Sequence, residues 1–193
     1  MAISSAMRRW YRSDRIYLMT DVCITSEAAW ARLLEGNARY VAGASTATNS
    51  PEARAALVNG QSPVAAVVCC ADSRSVPEVV FDQPMGSLFT CALAGNIVTD
   101  EVIASLDHAI DRLQIPLIVV LGHTGCAAVT AAVEGTEVPA TTAAVVEQIC
   151  TGGERDPDVA ASHHVAAMVV RLQAQTDVQV VGAMHDLRTG SVR

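Results

Sequence analysis

Three features of this 193-residue sequence predict an α/β fold, a single domain with a mainly parallel sheet flanked by helices. Two uninterrupted apolar runs, 63–70 (PVAAVVCC) and 116–121 (PLIVVL), read as strands buried on both faces. Segments of helical periodicity separate and follow them. Aromatics make up only 4% of a chain that is 51% hydrophobic, so the core must be built from Ala, Val, Ile and Leu, which suits helices packed closely on a sheet.

Taken in order, residues 1–25 read as an arm. Its segment MRRWYRSDRIYLM mixes basic and aromatic side chains, and no apolar stretch resembles a secretory leader. The domain is expected over 26–193. Ser26 is the expected N-cap of a first helix, in which Ala28, Trp30, Leu33 and Leu34 recur at helical spacing through Tyr40. A short helix over 51–58 precedes the first strand. Residues 87–93 (SLFTCAL) form a second strand closed by a turn at Gly95-Asn96. An amphipathic helix over 99–113 leads to the third strand. Helices over 126–133, 139–150 and 157–175 follow, and 178–184 (VQVVGAM) is the last strand.

Charge narrows the function. A formal net charge of −7 argues against nucleic acid or an anionic membrane surface as partner. No run is long enough to span a bilayer, so a cytoplasmic location is the expectation. Six cysteines without an export signal point to metal or catalysis rather than a disulfide framework. The absence of a phosphate-binding glycine motif removes nucleotide-dependent enzymes.

The informative residues lie just past two strands. Cys70, Asp72 and Arg74 follow the first, and His123, Gly125 and Cys126 follow the third. Ligands of open α/β sheets gather outside the carboxyl ends of strands, so neighbouring strands would bring these loops together. Two thiols and an imidazole suit zinc and leave a fourth position for water; Cys126 is expected in the first turn of a helix, whose field favours thiolate. Cys69 points away from Cys70 along a strand and is excluded as a ligand. A redox pair made of these adjacent cysteines would be strained.

The chain resembles the β-carbonic anhydrases through CADSR (70–74) and HTGC (123–126), with support from EGNARY (35–40), GQSP (60–63), AGNIV (94–98) and VGAMHDLRTGSV (181–192). The resemblance covers 26–193. It implies reversible hydration of carbon dioxide to bicarbonate by a zinc-bound hydroxide, a sheet of strand order 2-1-3-4, and a homodimer or higher even-numbered oligomer. It implies Cys70, His123 and Cys126 as zinc ligands, with Asp72 either a fourth ligand or paired with Arg74 as the catalytic dyad. It implies substrate-lining roles for Gln61 (from a neighbouring subunit), Phe89 and Gly125. His108, on the helix near the pocket, is a candidate proton shuttle because an imidazole titrates near neutrality. Two positions depart from the family pattern: Ala92 stands where an Arg is usual, and Ala127 where a Gly commonly follows the second Cys. Ala92 leaves open a non-catalytic protein in which Asp72 closes the metal site. A hydrolase of carbonyl sulfide or carbon disulfide would share the same ligands.

Overall fold

The computed structural model describes residues 24–193. The proposed arm over 1–25 lies almost wholly outside the described residues. Four strands make one parallel sheet in the order β2-β1-β3-β4, as the family resemblance implies: β1 (Ala65–Cys69), β2 (Leu88–Ala92), β3 (Leu117–His123) and β4 (Gln179–His185). The helices are α1 (Ser26–Val41), α2 (Pro51–Ala56), α3 (Pro77–Val80), α4 (Asp100–Leu113), α5 (Ala127–Glu134), α6 (Ala140–Val146) and α7 (Pro157–Gln173).

Every residue of the central strands β1 and β3 is buried, which is why both read as unbroken apolar runs. Their alternate side chains feed opposite cores. Ala65, Val67 and Cys69, with Leu117, Val119 and Leu121, pack with Ala29 and Leu33 of α1 and with Phe81. Ala66, Val68, Ile118 and Val120 pack with Val102 and Leu106 of α4 and with Val165, Met168 and Leu172 of α7. Each fully buried Val or Leu contributes roughly 1.5–3 kcal/mol, so both central strands are fixed from both sides.

Local signals explain most boundaries. Thr99 caps α4 by accepting from the Val102 N–H at 3.4 Å, and Gln114 ends it in the left-handed region. The first helix is capped one residue earlier than expected: Thr25, not Ser26, accepts from the Ala28 N–H at 3.2 Å, so Ser26 is already helical. Gly36 allows α1 to lie against the end of α3, since a Cβ there would sit 1.8 Å from the Phe81 carbonyl oxygen. Helix α3, four residues long, has too little periodicity to be seen in sequence. The helices expected over 51–58 and 139–150 are shorter than expected, at Pro51–Ala56 and Ala140–Val146. After β4 the chain returns, and Met184 and Arg193 exchange backbone hydrogen bonds of 2.8 and 3.1 Å, with a bridge between His185 and Val192.

Candidate metal centre

Strand β1 pairs directly with β3, so their carboxyl ends are adjacent. Cys70 is the first residue beyond β1. His123 is the last residue of β3 rather than lying past it, because β3 runs two residues beyond the expected apolar segment. Cys126 is the N-cap of α5 rather than part of its first turn, with φ −72° and ψ 116°. The thiol therefore sits at the mouth of the helix, where unpaired N–H groups gather.

These three side chains are buried, and their ligand atoms all lie within 4.8 Å of one another. The two sulfurs are 4.0 Å apart. A tetrahedral metal with thiolate bonds of about 2.3 Å holds two sulfurs about 3.8 Å apart, so the spacing fits one ion between them. His123 Nδ1 donates to the Thr124 carbonyl at 2.9 Å, which fixes the tautomer and leaves Nε2 as acceptor. That Nε2 is buried and has no hydrogen-bond partner among the described residues. A buried nitrogen without a partner is costly, and a metal facing the two sulfurs would satisfy it.

The thiol pair is electrostatically uneven. Cys70 is held well below the usual thiol range by the Cys126 thiol, against the opposing effect of burial, with help from His123 and from the Gly95 and Asp72 N–H groups. Cys126 is pushed up by sharing its proton with Cys70 and by burial. The two thiols are thus electrostatically coupled, and a dication held between them would favour both as thiolates.

Asp72 is gripped by Arg74. Its Oδ1 accepts from the Arg74 backbone N–H and from Nε, both at 2.9 Å, and its Oδ2 accepts from Nη2 at 2.7 Å. The fork holds the carboxyl well below the usual carboxylate range. Its Oδ2 lies 3.9 Å from His123 Nε2, close to the ligands but not bonded to them. Arg74 Nη2 also donates to the Gly125 carbonyl at 3.2 Å, joining the two loops.

Other elements hold the His123–Cys126 loop. The Thr124 N–H donates to the His185 carbonyl at 3.0 Å, and Thr124 Oγ1 accepts from the Leu187 N–H at 3.0 Å. Gly125, at φ +62°, donates its N–H to Asp158 Oδ1 on α7 at 2.7 Å. His185 pairs with His123 across the sheet, and its Nδ1 is hydrogen-bonded to the buried Ser75 hydroxyl at 3.0 Å. Asp158, His164, His185 and Ser75 are absent from the sequence-based site because nothing local in the chain ties them to the ligands.

Phe89 is on β2 in register with Ala66, four residues before Cys70, and its ring centroid is 6.4 Å from that of the half-buried His108 on α4. Gln61 is exposed in the loop before β1. Ala92 ends the edge strand and is exposed, and Ala127 is also exposed.

A family profile described as carbonic anhydrase matches residues 65–167, which include Cys70, His123 and Cys126. The chain is 39% identical over 185 residues to carbonic anhydrase 2 of Mycobacterium tuberculosis, covering 84% of this chain and 89% of that protein. The chain belongs to the β-carbonic anhydrase family. A carbonic anhydrase of Mycolicibacterium smegmatis is 44% identical over 116 residues, 58% of this chain and 56% of that protein. In fold, the chain resembles one of two tetrameric β-carbonic anhydrases from Sordaria macrospora, with a TM-score of 0.68 at 20% identity over 75% of this chain and 86% of the other. In this β-carbonic anhydrase the paired motifs at the ends of β1 and β3 meet as one buried Cys–His–Cys cluster.

Proposed function

We propose that this protein is a zinc-dependent carbonic anhydrase that interconverts carbon dioxide and bicarbonate, with Cys70, His123 and Cys126 as the ligands. The observation that carries the reading is the buried Cys–His–Cys cluster with an unpartnered His123 Nε2, next to a carboxylate held off by its own arginine. Zinc held there would supply an acidified water, with a pKa brought from 15.7 towards about 7. The chain's own contribution is Asp72, which Arg74 keeps ionised with its Oδ2 3.9 Å from His123 Nε2. There it can accept a hydrogen bond from the attacking water and so orient its lone pair towards substrate. The pairing weighs against Asp72 as a closing fourth ligand, and so against a non-catalytic protein with a structural metal.

Metal analysis and stopped-flow hydration of carbon dioxide together test this. Freshly purified protein is expected to carry about one zinc per chain and to be active, and Cys126→Ser and His123→Ala to lose both metal and activity. Zinc-replete protein that turns over carbonyl sulfide or carbon disulfide but leaves carbon dioxide untouched would move the substrate and keep the site. Protein without zinc before any chelator is added would refute the reading.

A further inference from the structure

His164, at the middle of α7, is fully buried, and both of its ring nitrogens are bonded. Its Nε2 lies 2.8 Å from the Gly95 carbonyl oxygen, which can only accept. Its Nδ1 accepts from the Cys150 backbone N–H at 3.1 Å. One neutral tautomer satisfies both contacts, and a second ring proton would collide with the Cys150 N–H. Gly95 sits in the tight turn after β2 at φ +69°, where a Cβ would meet Ile149 Cδ1 at 2.7 Å. The other polar group of the same residue, its N–H, donates to Cys70 Sγ at 3.3 Å.

We propose that His164 is a positioning residue for the metal centre: by gripping the Gly95 carbonyl it orients the turn so that the Gly95 N–H is aimed at the Cys70 thiolate. Glycine makes such a grip necessary. The residue is free to rotate into many conformations, and its N–H direction would wander if the carbonyl were not tied down. An N–H aimed at a ligating sulfur spreads the thiolate's charge and fixes which lone pair faces the metal. The Cys150 N–H, from the loop after α6, in turn holds the imidazole plane. Three segments remote in sequence thus set one ligand.

The inference rests on Cys70 being a metal ligand, and its test separates the two claims. The readouts are zinc affinity of the purified protein by competition with a chromogenic chelator and the thiolate-to-metal absorption of cobalt-substituted protein. Thermal unfolding of the metal-free form runs alongside. His164→Leu is expected to bind zinc at least about tenfold more weakly and to shift the cobalt bands, in line with the loss typical of outer-shell partners. His164→Gln places its amide nitrogen about where Nε2 was and is expected to keep affinity within about threefold. His164→Asn can accept only from the Cys150 N–H and is expected to behave like the leucine variant. Wild-type affinity in all three would overturn the inference, as would retention by asparagine with loss by glutamine, which would make His164 an anchor of the Cys150 loop alone. If the leucine variant does not fold, the glutamine and asparagine variants decide, and failure of all three to fold would make His164 a core strut. Wild-type protein that does not take up zinc, or Cys70→Ser that takes it up unchanged, would instead remove the metal reading itself.

Discussion

Arg74 shows how much of this site depends on the shape of one side chain. Its guanidinium makes two parallel bonds to Asp72 and reaches the Gly125 carbonyl, a fork that an ammonium cannot reproduce. Arg74→Lys keeps the charge and loses the fork, freeing Asp72 to swing towards His123 Nε2, 3.9 Å away. Zinc content is expected to stay the same while hydration at neutral pH falls roughly tenfold, about 1.5 kcal/mol, the loss of one charge-assisted hydrogen bond. Equal rates for the two proteins would show that Asp72 needs no restraint. Cys70, Asp72, Arg74, His123 and Cys126 were legible in sequence because each lies within a few residues of a strand end. His164 and Asp158 were not: the contacts that tie them to the site run to Gly95 and Gly125, far away in the chain. A lone histidine or aspartate on a helix carries no local mark of such a partner.

Elements were read best where one physical demand dominated. Strands buried on both faces need unbroken apolar runs, so β1 and β3 stood out, and the helices flanking them announced themselves by period. The end of β3 is not marked in the sequence, because Gly122 and His123 continue its hydrogen bonding without continuing its hydrophobicity. The connection after α1 was illegible for another reason: it is organised by a single carboxylate. Asp82, in the left-handed region at φ 45° just after α3, accepts from the Thr46 and Ala47 N–H groups, the Thr46 hydroxyl and Arg39. Burial pushes its carboxyl up, but those donors outweigh it and hold the pKa down to about 2. A depressed acid stabilises the fold above its unfolded value, near 3.9, and loses that contribution as pH falls through the folded value. Asp82→Asn is therefore expected to cost about 2 kcal/mol at pH 7. That gap from wild type should shrink steadily between about pH 4 and pH 2. Urea unfolding of both proteins across that range measures it, and a gap that does not change with pH would assign the cost to packing instead.

At the scale of the whole molecule the sheet is asymmetric. Beyond β4, the returning chain covers the edge through Met184, His185, Val192 and Arg193. Beyond β2, no strand of the described residues pairs with the outer edge. Helix α3 contacts β2. Val76 and Val79 at α3 and Met85 in the connection from α3 to β2 are exposed, and an open strand with apolar side chains nearby is a surface that proteins cover. Gln61 lies in the loop before β1, and the pair Phe89–His108 joins β2 to α4. Those residues can line a substrate pocket or relay a proton if a second copy brings them to it across a two-fold axis. Sedimentation of the active protein is expected to give at least twice the 20.2 kDa chain mass. Val76→Asp combined with Val79→Asp changes two side chains already exposed in the single chain, so the fold should survive. Two pairs of like charges facing one another would oppose association. The variant is expected to sediment towards the monomer, to keep its zinc, and to lose most of its hydration activity because each pocket is left half built. A wild-type protein that is monomeric at assay concentration and fully active would show that each chain completes its own pocket.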